Sequence, residues 1–236
     1  MGRRALGTSY KHVAFESHWL DGRELPEPLT GEAIFGRNAP LEIEVGTGKG
    51  LFLQTAATSN PDRGFLGIEI ARKYTFATAS ILSQAELSNA RIIYGDAQRI
   101  FKSIPDGSVS GVHIYFPDPW WKRRHRKRRI VNKEFIMESH RVLNSAGQLH
   151  FWTDVKEYFD VGVKMIRDET PFFGPFDVPE KPAEHDFDYR THFERRMRRH
   201  NEPVYRSLFT RQATEPPEVP TTEQEVSSSS GGTHAK

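Results

Sequence analysis

Apolar residues in the middle of the chain fall into two alternating kinds of run. Short, nearly continuous stretches at 41–45, 64–70, 91–94, 112–116 and 148–153 have strand length, and those with no polar face predict strands covered on both sides. The segments between and after them, 51–59, 72–86, 133–143 and 155–169, read as helices. In the third, Phe135, Ile136, Val142 and Leu143 share one face and Gly147 follows the end. Strand alternating with helix implies right-handed crossovers, and so an α/β fold with a doubly wound, mostly parallel sheet. Residues 203–211 predict a late strand in an antiparallel hairpin closing the C-terminal edge. Ligands of such a sheet bind beyond the carboxyl ends of the strands, where strand order reverses.

The pattern fades at both ends. Residues 1–38 mix Gly, Pro and charge around small apolar groups such as Val13-Ala14-Phe15, and are expected to form an arm that is partly ordered or wraps the core. Residues 39–213 hold the alternating pattern. Residues 214–236, rich in Pro, Ser, Thr and Glu, have almost nothing to bury and are expected to be a disordered tail. No internal repeat is visible.

Composition narrows the class. With 236 residues, 36% apolar and 27% charged, the chain suits one sizeable α/β domain with tails. No apolar run approaches the length of a membrane span, and the opening MGRRALGTSY lacks the apolar stretch of a secretory signal, so no membrane partner is expected. The absence of cysteine excludes disulfides and thiolate zinc sites and fits a reducing cytosol; the expectation is a cytoplasmic protein without a metal, monomer or homodimer. The formal net charge is only +2, but from Thr214 onward four glutamates stand against Lys236, a net −3 that leaves +5 on the residues before it. Two basic islands, 122–129 and 195–200, are placed to form one surface.

The first predicted strand runs into Glu44-Val45-Gly46-Thr47-Gly48-Lys49-Gly50 and then a helix. Glycines let a ligand approach the backbone closely. The spacing is G-x-G-x-G, not the G-x-G-x-x-G that seats a pyrophosphate, and Glu44 adds a carboxylate that repels phosphate and attracts a cation. S-adenosylmethionine, with an ammonium, a sulfonium and no phosphate, suits that loop. Glu69, closing the second strand, stands where an acid accepts from ribose hydroxyls, and Asp96, after the third, is placed to accept from an adenine amino group. Each acid alone also reads as a surface residue, and Asp96 as the cap of a short helix.

The fourth strand delivers Phe116-Pro117-Asp118-Pro119-Trp120, a turn whose prolines hold Asp118 in non-helical geometry. Its bland reading is a rigid corner with Trp120 packed in the core. Lys122 to Arg129 then follow, seven of eight residues being Lys or Arg with no acid among them. Such charge density beside aromatic rings is what phosphates and stacked bases require. A nuclear-localisation signal explains the charge but not its place at the predicted active edge. Asp154 reads as a helix cap, and Thr191 to Glu194 as a helix start with a capping box.

Taken in order, Glu44-Val45-Gly46-x-Gly48-x-Gly50, Gly67-Ile68-Glu69, Phe116 to Trp120 with Lys122, Arg124-His125 and Lys127-Arg128-Arg129, Thr153-Asp154 and Thr191-His192-Phe193-Glu194 resemble the motif series of the bacterial tRNA (guanine-N7)-methyltransferases over roughly residues 40–212. The proline-flanked turn with its basic run is specific; the glycine loop is shared with class I methyltransferases generally. The resemblance implies a Rossmann-like class I methyltransferase fold, S-adenosyl-L-methionine as cofactor, tRNA as partner, and methylation of guanine 46 in the variable loop. It implies that Glu44, Gly46, Gly48, Glu69, Asp96 and Asp118 line the cofactor site and that Asp118 is also catalytic. Lys122, Arg124, Lys127, Arg128, Asp154, Thr191, Phe193 and Glu194, with His192 by its location, are then expected to contact the substrate. Two rivals stand beside this reading: an N-methyltransferase for an exocyclic amine, and an RNA-binding protein or silent heterodimer subunit with a vestigial cofactor fold.

Overall fold

The computed structural model describes residues 15–212. Eight strands form one sheet in the order β1-β4-β3-β2-β5-β6-β8-β7. They are β1 (Trp19–Asp21), β2 (Leu41–Val45), β3 (Gly64–Glu69), β4 (Ala90–Tyr94), β5 (Val109–Tyr115), β6 (Leu143–Thr153), β7 (Phe173–Phe176) and β8 (Tyr205–Thr210). The first six in that order run parallel to one another; β8 is antiparallel to both β6 and β7. The helices are α1 (Gly31–Phe35), α2 (Leu51–Ser59), α3 (Arg72–Gln84), α4 (Ala97–Ile100), α5 (Lys133–Val142), α6 (Lys156–Glu169) and α7 (His192–Arg199). No described helix is long and apolar enough to cross a membrane.

The doubly wound, mostly parallel sheet is the one the sequence pattern predicts. Every residue of β3 is buried, and Leu41, Ile43, Ile68, Ile93, Val112 and Ile114 join one core cluster on one side of the sheet, while Phe52, Leu53, Phe65 and Ile92 form another. α5 turns Phe135, Ile136 and Val142 inward as its periodicity requires, but it stops at Val142. Leu143 instead starts β6, whose register with β5 jumps from Val109↔Leu143 to Gly111↔Gln148. The intervening Asn-Ser-Ala-Gly is an irregular stretch of strand rather than a separate turn.

Both ends of the sheet depart from the predicted set. β1 pairs in parallel with β4, so part of the N-terminal segment completes the sheet. α1 is a single capped turn, Thr30 Oγ1 accepting from the Ala33 N–H. The C-terminal edge holds the expected antiparallel pair, but a long connection containing α7 joins β7 to β8 in place of a tight hairpin. Strand order reverses between β2 and β5, so the ligand edge lies where Val45 meets the glycine loop and Tyr115 meets the proline turn.

Candidate active site

The parallel register carries all four candidate acids to the carboxyl edge of the sheet. Glu44 is next to last in β2 and pairs with Gly67 and His113, Glu69 ends β3 opposite Tyr94, and Asp96 and Asp118 follow the ends of β4 and β5.

Glu44 is 1% exposed, and its Oε2 has no hydrogen-bond partner among the described residues. Burial, reinforced by the neighbouring Glu69, pushes its carboxyl well above the usual carboxylate range. An orphaned buried acid is costly unless a ligand satisfies it. Glu69 does two jobs: its Oε2 accepts from the Gly48 N–H at 3.0 Å and its Oε1 from the Ala71 N–H at 2.8 Å, fixing the glycine loop to the end of β3. Gly46 and Gly48 take left-handed φ of 80° and 56°, and a Cβ on either would meet nothing within 4 Å. The loop therefore presents bare backbone to an open cradle. Asp96 is exposed and caps α4, accepting from the Gln98 N–H, as its bland reading foresaw. Buried acid, bare backbone and exposed acid fit the ammonium, sulfonium and adenosine of S-adenosylmethionine, and no phosphate.

Asp118 is exposed between two residues of left-handed backbone, Phe116 at φ 49° and Trp120 at φ 43°, where bulky side chains are strained. Several interactions hold the corner. The Phe116 ring lies 4.8 Å from that of Phe193 at the start of α7, and Arg129 donates from Nε to the Pro119 carbonyl at 2.7 Å while covering the buried Tyr158 ring at 4.7 Å. Sequence reasoning did not separate Arg129, which anchors the turn, from the rest of the run. Lys122, Arg123, Arg124, Arg126, Lys127 and Arg128 are exposed on or beside a short 3₁₀ turn.

The second basic island behaves differently from the single surface expected. Arg195 and Arg199 both bond Asp186 at 2.6 Å, and Arg198 bonds Glu180 at 3.0 Å. Among the described residues Arg196 alone of the four has no ion pair; it covers the Phe193 ring at 4.3 Å.

Thr191 caps α7, its Oγ1 accepting from the Glu194 N–H at 3.0 Å. Glu194 closes the motif from within. It is 3% exposed, Oε2 accepts from the Arg190 N–H at 2.7 Å, and Oε1 meets Arg206 of β8 at 3.0 Å. The carboxylate of Glu194, expected from the sequence to contact substrate, faces inward and holds the start of α7. Arg206, which completes that pair, carries no signal in the sequence. His192 stays neutral, its pKa lowered to about 4 by burial, then by Arg195 and by Lys49 of the glycine loop. Asp154 does not cap α6; the residue before that helix is Val155, whose N–H bonds the Thr153 hydroxyl at 3.2 Å.

Beneath this edge lies a polar cluster that periodicity does not reveal. Glu42 Oε2 meets His113 Nε2 at 2.8 Å, His113 Nδ1 meets the Tyr115 hydroxyl at 2.9 Å, and His150 stacks on His113 at 4.8 Å. Among the described residues no group of acids and histidines is arranged to hold a metal ion.

A sheet of this order, with a glycine loop and an orphaned acid at its switch point, defines a methyltransferase of the Rossmann-like class, and the comparisons agree. Residues 38–207 match the family model described as "Putative methyltransferase". A solved 16S rRNA methyltransferase, KamB, superposes with a TM-score of 0.59 over 81% of this chain and 97% of that one at 17% identity, a likeness of fold. The tRNA (guanine-N(7)-)-methyltransferase of Rhodopirellula baltica is 43% identical over 220 residues, 90% of this chain and 81% of that protein. Its namesake from Listeria innocua is 30% identical over 77% of this chain and 86% of that protein. The chain belongs to the tRNA (guanine-N7)-methyltransferase family.

Proposed function

We propose that this protein transfers the methyl group of S-adenosylmethionine to N7 of a guanine in tRNA, at position 46 of the variable loop. One observation carries the reading: the buried carboxylate of Glu44, whose Oε2 has no partner among the described residues, beside the bare glycine loop, one strand away from an exposed, rigidly held Asp118 that opens a basic run. The names of the relatives support the same substrate.

The cofactor supplies an electrophilic methyl on a sulfonium. Guanine N7 holds a lone pair and no proton, so the carbon–sulfur bond breaks as the carbon–nitrogen bond forms, and the positive charge passes to the base without proton removal. The residues' task is placement and exclusion of water. Glu44 balances cofactor cation, Gly46 and Gly48 admit it, and Glu69 and Asp96 address its adenosine. Asp118 orients the guanine and offsets the charge that arrives on it. Lys122, Arg124, Lys127 and Arg128 meet phosphates, and Asp154, Thr191, His192 and Phe193 border the base.

Incubation with labelled S-adenosylmethionine and unmodified tRNA, followed by nucleoside analysis, tests the reading. Labelled 7-methylguanosine is expected, and a transcript carrying adenine at position 46 is expected to lose it. Label on an exocyclic amine, or none, overturns the assignment.

A further inference from the structure

Two tryptophans follow Asp118, and their surroundings differ. Trp120 is partly buried, its ring engaged by the Arg128 guanidinium at 5.1 Å and by the His125 ring at 5.7 Å. Trp121 is 59% exposed, and among the described residues its indole has no ring, cation or hydrogen-bond partner. Both rings, with Asp118, Pro119, Lys122 and His125, line one open cleft of about 490 Å³. An indole is a large apolar surface to leave in water. Here it stands three residues from the carboxylate that addresses the base, with Lys122 next in sequence on the same cleft.

We propose that Trp121 is the platform on which the guanine, unstacked from the tRNA, lies during transfer; this deepens the function proposed above and rests on it. Extruding a base forfeits its stacking in the RNA, and a bare π-face restores it. The platform also gains during the reaction. Methylation at N7 makes the purine cationic, and an indole face attracts cations more strongly than any other side-chain ring. Trp121 therefore holds the charging base more tightly than the neutral one, which lowers the barrier as well as improving binding. Lys122 on the same cleft takes the adjoining phosphate.

The test compares Trp121→Ala and Trp121→Phe with the unchanged protein, using unmodified tRNA transcript and the intact chain. In Trp121→Ala, kcat/KM for tRNA is expected to fall on the order of 10- to 100-fold, with both a lower kcat and a higher KM. Trp121→Phe keeps a ring and is expected to recover most of the KM but not all of the kcat. Affinity for S-adenosylmethionine and the melting temperature stay unchanged in both, since the side chain is exposed and has no partner among the described residues. Tryptophan fluorescence is expected to be quenched by tRNA, and the quench to shrink in Trp121→Phe. The proposal is overturned if Trp121→Ala stays within about twofold of the unchanged protein, or if Trp121→Phe falls as far as Trp121→Ala. Either result with 7-methylguanosine still formed by the unchanged protein removes the platform alone. Absence of 7-methylguanosine from the unchanged protein removes the function beneath it.

Discussion

Replacing Glu194 by alanine removes the carboxylate that ties α7 to β8. The side chains of Glu194 and Arg206 are 4% and 8% exposed and meet at 3.0 Å, while Glu194 also satisfies the Arg190 N–H. Removing one member of a buried pair costs about 3–5 kcal/mol, chiefly because the other is left buried and uncompensated. Arg206 and Arg198 both retain Glu180, at 2.9 and 3.0 Å, so the cost belongs at the low end, about 3 kcal/mol. For a chain of this size each kcal/mol moves the melting temperature by about 2–4 °C, which puts the expected fall at about 6–12 °C. Thermal melts followed by circular dichroism measure it directly. Glu194→Gln, which keeps an acceptor for the Arg190 N–H but not the charge, is expected to fall between. Tethering of Phe193 against Phe116 should loosen in parallel, raising the KM for tRNA in Glu194→Ala while S-adenosylmethionine affinity holds. A fall of less than about 2 °C would refute the claim that this pair secures the helix.

Three further outcomes are expected. Asp118→Ala should lower single-turnover methylation about 100-fold by freeing the base from its in-line position; near-normal turnover at saturating substrates would take Asp118 out of the chemistry. Neutralising Arg124, Lys127 and Arg128 together should weaken tRNA binding and reduce the slope of log affinity against log salt by about 2, with cofactor binding unmoved; an unchanged slope would remove these side chains from the phosphates. His150 is held neutral by burial, by the adjacent His113 and by Arg190, so its folded pKa lies well below that of the unfolded chain, about 6.5. Its contribution is thus fully present above that value and is lost as pH falls through the folded pKa, so His150→Leu should show a smaller drop in melting temperature between pH 8 and pH 5.5, and identical drops would refute the assignment.

The parallel core was legible because strands buried on both faces cannot alternate, and their unbroken apolar runs stand out. β1 and β7 were not, because three residues at one edge and a Phe-Gly-Pro-Phe stretch at the other carry no periodicity; they become strands only through the neighbour they pair with. Asn144 to Gly147 carry no strand signal, since small and polar residues end helices and strands alike. Among candidate site residues, the strand-end acids could be placed because parallel topology sends every carboxyl end to one edge. Glu194 could not, since its inward direction depends on Arg206, twelve residues on in a different element. The histidine cluster was hidden for the same reason: His113 and His150 meet only when β5 pairs with β6.

The left-handed backbone at Phe116 and Trp120 sets two evolutionary pressures against each other. Each bulky residue in that conformation costs about 1–3 kcal/mol, and glycine or asparagine would adopt it more readily. A library screened for heat tolerance alone would drift toward those relaxed residues, giving Asp118 a wider range of headings, whereas one screened for turnover would keep the aromatic pair. Thermostable descendants of this protein would then have to gather their robustness elsewhere, in the outer helices and the sheet edges, and leave this corner as tense as they found it.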